Sequence, residues 1–436
     1  MFGYYLQLAW RGFGRNKVLT TLMVLTIAVG IGATMTTLGL YFVLSGDPIP
    51  HKSKQLFYPQ LEPRSLGKDA TLERDPLEQM TRYDAEELLR QKRGDRQALM
   101  SAGSVTALPT GSTAQPFRVM ARYTSADFFP MFDVPLAAGN AWSAADDDGR
   151  ALVAVIDRKL AQRLYGSEDA VGKELRLPQG VFRVVGLLDN WKPAPRFYDL
   201  TSQRYGGAEQ ILLPFSTSRV LKLDTQGNMN CWGSSTDGEG NRGLTAPCAW
   251  LQYWVELDSA DKARDYLKYL ADYSDTQRAS GRFERPTNVR LHDVMGWLDF
   301  NRIVPNDVRL QMWLAFGFLL VCLINTVSLL LAKFLRRSGE IGVRRSLGAS
   351  RADIFKQCLT EAGFIGLAGG VLGLGFAAMG LWLIRQQPDE YAKLAQMDTT
   401  TLWMTFVLAV GVSLVAGLLP AWRAMQIPPA LQLKSQ

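Results

Sequence analysis

The sequence predicts a membrane protein in which four transmembrane α-helices, one N-terminal and three C-terminal, accompany a large α/β extracytoplasmic domain inserted between helices 1 and 2. Three observations lead to this fold class: four long uncharged runs, an uneven placement of basic residues around them, and a middle region that alternates strand-like and helix-like patterns. The hydrophobic content of 47% suits soluble and membrane proteins alike. The distribution of residues therefore decides the class.

Each uncharged run is long enough to cross a hydrocarbon core of about 30 Å as a helix. The four runs are Val18–Gly46, Leu310–Ala332, Ala362–Ile384 and Thr399–Trp422. The first run is too long for the apolar part of a cleaved secretory signal, and no small-residue cleavage site follows it closely, so we expect an uncleaved anchor helix. Buried helices of a soluble protein are the alternative, against which the flanking charges argue.

Basic residues set the expected orientation, because they collect beside the cytoplasmic ends of membrane helices. Lys and Arg dominate the gap between the second and third runs, whereas the next gap balances Arg385 and Lys393 against three acidic residues. Both termini are therefore expected in the cytoplasm, with the large domain on the outer side. The expected boundaries are 1–17 cytoplasmic, 18–46 helix 1, 47–309 outside, 310–334 helix 2, 335–360 cytoplasmic, 361–385 helix 3, 386–400 outside, 401–422 helix 4 and 423–436 cytoplasmic.

Several function classes are disfavoured by the residues. The net charge of +7 arises largely in the cytoplasmic segments, so it does not indicate a nucleic-acid partner. The only histidines, His51 and His292, are far apart, and we predict neither a metal site nor a catalytic triad. The stretch Gly166–Glu174 imitates a phosphate-binding loop, but it has five residues between its glycines and Glu174 in place of the Ser or Thr that would meet magnesium.

The middle region has the pattern of an α/β domain. Runs rich in Val, Ile and aromatic residues predict strands at Phe117–Tyr123, Ala151–Ile156, Phe182–Leu188, Gln210–Pro214 and Trp250–Leu257. Apolar residues at three- and four-residue spacing predict helices at Asp84–Lys92, Arg158–Tyr165 and Asp261–Ala271. The tryptophans and Tyr253 of this region could line a ligand surface, but their number favours a core.

Two cysteines of the outer region flank a polar, Gly-rich loop. A disulfide between Cys231 and Cys248 would close a loop of 17 residues and stabilise the domain by about 3 kcal/mol. Two unpaired thiols remain the alternative, since sequence separation does not establish geometry.

The segment between helices 2 and 3 combines arginine doublets with glycines. Gly339 is expected to end helix 2 and Gly348 to end a short helix, Glu340–Leu347, since glycine readily adopts the left-handed cap conformation. Ser350 and Asp353 form a predicted capping box that opens helix 3. Ile341, Val343 and Leu347 would give the short helix an apolar side lying on the membrane surface. A basic loop that merely fixes topology is the alternative.

This segment carries a family resemblance. The run from Gly339, GEIGVRRSLGASRADIFKQCLTEA, resembles the cytoplasmic signature of FtsX/MacB-type ABC transporter permeases. Further stretches resemble other parts of that family: AWRGFGRNKVLTTL from Ala9, PAWRAMQIPPAL from Pro420, and, in its MacB-like periplasmic core domain, SADFFPMFDVPLAAGNAW from Ser125, VAVIDRKLAQRLYGSEDAVGKELRL from Val153 and FRVVGLLDNW from Phe182. The combination of both ends, the membrane region and half of the outer region is specific.

The resemblance implies a permease subunit of the bacterial inner membrane, with the outer segments 47–309 and 386–400 in the periplasm. Such a subunit works as a dimer, with itself or with a second permease, on two ATPase subunits. The sequence lacks the phosphate loop of the fused members, so ATP and magnesium are expected on a separate partner and the chain itself is not expected to be an enzyme or to bind a cofactor. The short helix would be the coupling helix, with Glu340, Ile341, Gly342, Arg344, Arg345, Leu347 and Gly348 as its ATPase-coupling residues.

Under this resemblance, ATP hydrolysis would drive periplasmic movements that export an amphipathic compound, peptide or lipid-linked substrate. A periplasmic adaptor, an outer-membrane channel and contact with membrane lipid stay open as partners. The alternatives are lipoprotein release and an FtsX-like signalling or scaffold protein that regulates a periplasmic cell-wall enzyme. A membrane-anchored periplasmic enzyme is disfavoured, because the sequence supplies no catalytic constellation.

Small and polar residues in the membrane runs indicate helix packing. Gly366 with Gly370 and Gly369 with Gly373 form two overlapping pairs of small residues at four-residue spacing, which suit close helix contact. We interpret them as a dimer face in preference to packing within one subunit. Asn325 is the clearest polar residue inside a run, and we expect it to form a helix–helix hydrogen bond.

Overall fold

The structure is a computed structural model that describes residues 17–67, 75–109, 115–202, 204–205, 209–235, 238–388, 392 and 399–426, with the side chains of 399–401 left aside. The chain divides into two compact units, one comprising 1–46 with 304–436 and the other 47–303. Most of the expected N-terminal segment, of the expected loop at 386–400 and of the expected tail lies outside the described residues, and so do parts of the resembling stretches from Ala9 and Pro420.

The first element is helix α1, Lys17–Ser45, which has no charged residue after its first position and is apolar enough to cross a membrane. It belongs to the unit formed by the two ends of the chain.

The second unit is built on a mixed sheet. Its strands are β1 (Leu56–Gln60), β2 (Met80–Thr81), β3 (Arg96–Ala107), β4 (Phe117–Thr124), β5 (Leu136–Gly139), β6 (Val153–Asp157), β7 (Glu174–Leu177), β8 (Gly180–Leu188), β9 (Ile211–Pro214), β10 (Thr225–Gln226), β11 (Asn230–Cys231), β12 (Cys248–Glu256) and β13 (Arg290–Asp293). Nine strands run in the order β13-β1-β12-β3-β4-β9-β6-β8-β5. The β4/β9 and β6/β8 pairs are parallel and the other neighbours are antiparallel.

Seven helices accompany this sheet in the part of the chain described. They are α2 (Arg82–Gln91), α3 (Phe128–Met131), α4 (Ala144–Asp148), α5 (Arg158–Tyr165), α6 (Phe215–Val220), α7 (Ala260–Ala279) and α8 (Val294–Phe300). The core lies between sheet and helices and includes the fully buried Tyr123, Phe182, Tyr253 and Val255. All five predicted strands and all three predicted helices are present, with boundaries shifted by a few residues, and α7 extends eight residues beyond its predicted end.

Three further helices complete the first unit: α9 (Asn306–Arg336), α11 (Arg351–Arg385) and α12 (Thr399–Met425), with the short helix α10 (Ser338–Ser346) between α9 and α11. Within this unit α11 packs against α1 and α12, and α9 packs against the same two helices. Four helices, namely α1, α9, α11 and most of α12, are long and apolar enough to cross a membrane. The predicted fold class, one such helix before and three after an α/β domain, is therefore confirmed.

The helix ends around α10 partly follow prediction. Ser350 caps α11 and forms the predicted capping box with Asp353, in which each side chain accepts a hydrogen bond from the other residue's backbone N–H. Gly348 has a φ of +103°, so the predicted left-handed turn after the short helix is confirmed. The prediction for Gly339 is wrong: α9 ends at Arg336, Arg337 alone separates it from α10, and Gly339 lies in the first turn of α10.

Candidate coupling site

A buried ion cluster joins the ends of α9 and α11. Lys333 Nζ lies 2.7 Å from Glu361 Oε1, and Arg337 Nη1 lies 3.0 Å from Glu361 Oε2. The side chains of Lys333 and Glu361 are only 1% and 6% exposed. Lys333 Nζ also donates to Thr20 Oγ1 of α1 at 3.4 Å. Because a buried charge is costly unless it is paired, this cluster fixes three membrane helices against one another at one end.

The cluster continues into α10 through Glu340. Arg337 Nε lies 3.5 Å from Glu340 Oε2, and Arg344 Nη2 lies 3.1 Å from Glu340 Oε1. Arg344 Nη1 also donates to Gln357 Oε1 of α11 at 3.0 Å. The short helix is therefore held to α11 by the Arg344–Gln357 hydrogen bond and through Arg337, which pairs with both Glu340 of α10 and Glu361 of α11.

A third tie reaches α12. Arg345 Nη1 donates to the backbone carbonyl oxygen of Met425, the last residue of α12, at 3.5 Å. A cation is favourable at this position, since the final carbonyls of a helix lack intrahelical partners and carry partial negative charge.

Apolar residues of α10 divide between two environments. Ile341 is 7% exposed and belongs to the same buried cluster as Phe334, Ile354 and Cys358. Val343 is 54% exposed, and Leu347, the residue that ends the helix, is 83% exposed. The prediction that Ile341, Val343 and Leu347 form one apolar side is therefore wrong. Val343 and Leu347 are four residues apart and lie together on the outer face of the helix, whereas Ile341 faces the helix bundle.

The predicted coupling residues thus have distinct surroundings. Glu340, Arg344 and Arg345 contact their own chain, Ile341 and Gly342 are buried, and Leu347 and Gly348 are exposed. Sequence reasoning missed the contributions of Lys333, Arg337, Gln357 and Glu361. The available signal was the i, i+4 spacing of Lys333 and Arg337 at the end of the second apolar run, with the lone Glu361 directly before the third run.

The four glycines of α11 lie inside the subunit. A Cβ atom built on Gly369 would lie 2.7 Å from Ile27 Cγ2 of α1, and one on Gly370 would lie 2.6 Å from Ala409 Cβ of α12. Gly373 likewise faces α1 and Gly366 faces Ser413 of α12. The interpretation of these glycines as a dimer face is therefore wrong: they allow close approach of helices of the same chain, where any larger side chain would collide.

Asn325 lies on the exposed face of α9. Among the described residues no side-chain hydrogen bond within the subunit is found for it, unlike the neighbouring buried Thr326, which donates to the Cys322 carbonyl at 2.8 Å. The expected helix–helix hydrogen bond is not formed within this subunit.

In the outer unit, Cys231 and Cys248 form a disulfide and are also cross-strand neighbours of β11 and β12.

The described residues contain no group of three or more His, Cys, Asp or Glu side chains that could hold a metal ion. Cys322 and Cys358 are free and buried.

Two family models match the chain. The model of the MacB-like periplasmic core domain matches residues 20–268, and the model of the FtsX-like permease C-terminal region matches residues 312–429. Together they cover most of the outer unit and most of the C-terminal membrane helices, with the whole of α10.

Curated relatives agree with these matches. The pyoverdine export ATP-binding/permease protein PvdT of Pseudomonas entomophila (strain L48) is 25% identical over 446 residues, which cover 99% of this chain and 59% of the relative. The macrolide export ATP-binding/permease protein MacB of Marinobacter nauticus is 24% identical over 447 residues, covering 99% of this chain and 60% of the relative. The chain thus spans less than two thirds of the length of these relatives.

Solved structures give a weaker likeness. The periplasmic region of MacB from Actinobacillus actinomycetemcomitans matches with a TM-score of 0.36 and 13% identity, covering 57% of this chain and 94% of that one. The extracellular domain of the transporter YknZ from Gram-positive bacteria matches with a TM-score of 0.34 and 14% identity, covering 54% of this chain and 98% of that one.

Because both family models match, the chain belongs to the ABC transporter permeases that combine a MacB-like periplasmic core domain with an FtsX-like permease domain.

Proposed function

We propose that this chain is a permease subunit of the bacterial inner membrane that receives movement from a separate ATP-hydrolysing subunit through α10. Both termini and α10 lie in the cytoplasm in this proposal, and the 47–303 unit lies in the periplasm. Movement of α10 shifts the membrane helices and, through the chain continuing from α1 and into α9, the periplasmic unit. The work done is export of an amphipathic compound, peptide or lipid-linked molecule.

One observation carries this proposal: α10 is bound tightly to its own bundle yet presents exposed apolar side chains. Arg337, the residue between α9 and α10, pairs with both Glu340 of α10 and Glu361 of α11, and Arg344 of α10 donates to Gln357 of α11. These contacts resist displacement of α10 relative to α11. Val343 and Leu347 remain on the outer face, where large exposed apolar side chains favour a partner surface. A helix that is held rigidly and contacts a partner through apolar side chains can transmit the partner's movement to the membrane helices, whereas a flexible basic loop cannot.

Export is supported over the other family activities by the relatives, which are named for export of pyoverdine and of macrolides. Membrane helices that carry their charged residues at their ends also fit a mechanism in which the substrate need not pass between them.

The dimer partner is proposed to pack on α9. An amide exposed within a membrane helix lacks water to satisfy it, so Asn325 favours an interface with a second permease chain. The exposed glycine Gly317 lies on the same helix and offers no side chain to obstruct approach.

The test is affinity purification of the full-length chain from its native membrane in mild detergent, with mass spectrometry and an ATPase assay of the eluate. We expect Leu347→Asp to lose a co-purifying ATPase while its apparent Tm stays that of the wild type. Ser346→Asp adds the same charge at the adjacent exposed position and is expected to retain the ATPase.

Glu340→Lys provides a contrast, because it breaks internal ion pairs and adds a third cation beside Arg337 and Arg344. It is expected to lower the apparent Tm and to lose coupling. The coupling role would be contradicted if the Leu347→Asp variant still co-purified with the ATPase. It would also be contradicted if the intact wild-type protein co-purified with no ATPase.

A further inference from the structure

A cavity of about 460 Å³ opens in the 47–303 unit, remote in sequence from the coupling site. Its walls come from α2, α6, the end of α4 and the disulfide-closed loop, which contributes Glu239. This volume falls in the range of small-molecule sites, which are commonly apolar clefts with a few convergent polar groups.

Arg219 of α6 forms part of the cavity wall and is surrounded by aromatic rings. Its guanidinium carbon lies 5.3 Å from the centre of the Trp250 ring, 5.7 Å from that of Phe215 and 6.0 Å from that of Tyr123. Nε donates to Ser218 Oγ at 3.3 Å and Nη2 to the Leu223 carbonyl at 2.9 Å. Both acceptors are neutral, and Nη1 has no acceptor among the described residues.

No carboxylate of the described residues lies within ion-pair distance of Arg219. Burial is the largest cause that lowers its pKa, to about 10; Tyr123 and the more distant Glu239 oppose this shift, whereas Arg82 and Arg242 add to it. A largely buried cation without a carboxylate at ion-pair distance is costly, and such a group in a cleft is a typical mark of a ligand site.

The other charges of the cavity are already engaged or solvated. Arg82 forms ion pairs with both Glu86 and Glu239. Asp147 accepts hydrogen bonds from the Ala126 backbone and the Trp142 ring. Asp148 and Arg150 are exposed at the rim. Among the described residues of this wall, Arg219 is therefore the partly buried cation with no ion-paired carboxylate, and an incoming anion would pair with it.

Apolar side chains adjoin Arg219 in the same cavity, namely Leu89 of α2, Leu99 of β3, and Phe215 and Val220 of α6. We propose that the cavity binds an acidic amphipathic small molecule, whose carboxylate, sulfonate or phosphate group pairs with Arg219 and whose apolar part lies against Leu89, Phe215 and Val220. The planar, multidentate guanidinium suits such an oxyanion. Because binding here requires no ATPase, the proposal stands independently of the coupling role.

The test uses the full-length chain in lipid nanodiscs and isothermal titration calorimetry, with empty nanodiscs subtracted for partitioning into lipid. The probes are 2-naphthoate, its neutral isostere 2-naphthamide, and inorganic phosphate. We expect 2-naphthoate to bind more tightly than either of the other two. Arg219→Gln should weaken 2-naphthoate binding roughly 10- to 100-fold and leave 2-naphthamide unchanged, since only the charged hydrogen bond is lost.

Arg219→Lys should show a smaller loss, because it keeps the charge without the planar donor set. Arg264→Gln removes a highly exposed arginine of α7 and should leave binding unchanged. Equal affinity of wild type and a folded Arg219→Gln, or phosphate or the amide binding as tightly as 2-naphthoate, would overturn the proposal. If Arg219→Gln does not fold, the acid, amide and phosphate comparison on the wild type and Arg219→Lys decides the matter.

Discussion

Lys333 and Glu361 form a 2.7 Å ion pair between α9 and α11 with both side chains almost completely excluded from solvent. Arg337, which directly follows α9, approaches the second oxygen of the same carboxylate at 3.0 Å, so Glu361 neutralises two cations that lie four positions apart. Loss of the carboxylate would leave two neighbouring positive charges facing each other in a dry environment.

The ion cluster predicts unequal effects of its members. Glu361→Met should lower the free energy of unfolding by about 3–5 kcal/mol, because it leaves Lys333 buried and unpaired. Lys333→Met should cost less, since Glu361 keeps Arg337, and the double variant should be more stable than Glu361→Met alone. The apparent Tm followed by tryptophan fluorescence in detergent measures this, with the exposed Arg385→Met as control. A double variant less stable than Glu361→Met would argue against the assignment.

Asn325 predicts the position of the subunit interface. In a background where Cys322 and Cys358 are alanine, Asn325→Cys should form a disulfide-linked dimer in oxidised native membranes, seen as a doubled mass on non-reducing gels. Val371→Cys is the matched control, because it is 70% exposed on α11 but belongs to a different helix face. Efficient cross-linking at Val371 with none at Asn325 would place the interface on α11 instead.

The disulfide predicts a redox-dependent stability of the outer unit. Closing the 17-residue loop between Cys231 and Cys248 should contribute about 3 kcal/mol, so reductant should lower the apparent Tm of the wild type. The Cys231→Ser, Cys248→Ser variant should start at the lower Tm and show no response to reductant. Alkylation followed by mass spectrometry checks the bond itself: an identical mass with and without prior reduction would show that the two thiols are unpaired.

The raised pKa of Asp147 predicts that the stability of the outer unit depends on pH. Burial raises its pKa to about 6, so the folded protein holds this proton more tightly than the unfolded chain does. The contribution of Asp147 to the free energy of unfolding is therefore fully present below about pH 4 and lost as the pH rises through about 6. Relative to wild type, Asp147→Asn should gain up to about 3 kcal/mol between pH 4 and pH 7.

The Asp147 measurement compares apparent Tm values across that pH range. The variant also alters the hydrogen bonds from Ala126 and Trp142, which shifts its whole curve, so the informative quantity is the change of the difference with pH. Asp272→Asn, at an exposed position of α7, is the control, because Asp272 is not among the charges that act on Asp147. Parallel curves for Asp147→Asn and wild type would refute the prediction.

Local features of the sequence were sufficient for much of the fold. The capping box of Ser350 and Asp353 depends on residues three positions apart, and its prediction is confirmed. The left-handed Gly348 is local in the same sense. The prediction that Gly339 ends α9 was wrong, because the helix already ends before Arg337 and a glycine can also occupy the first turn of the next helix.

Contacts between distant segments were harder to foresee. Spacing showed that the glycines of α11 permit close approach, but not that the approaching surfaces are α1 and α12 of the same chain. The pairing of Lys333 with Glu361 spans 28 positions and depends on how two helices pack, which no local pattern records. The cavity around Arg219 likewise assembles from segments that are separated along the chain.

The residues that hold α10 in place differ from those that it exposes, and this difference has an evolutionary consequence. The side chains that anchor the helix, Glu340 and Arg344, are different from the exposed Val343 and Leu347. Under the proposed coupling role, substitutions at these two exposed positions would change which ATPase is accepted without disturbing the contacts that hold α10 in place. A duplicated gene could then acquire an ATPase of its own through changes at the surface of α10.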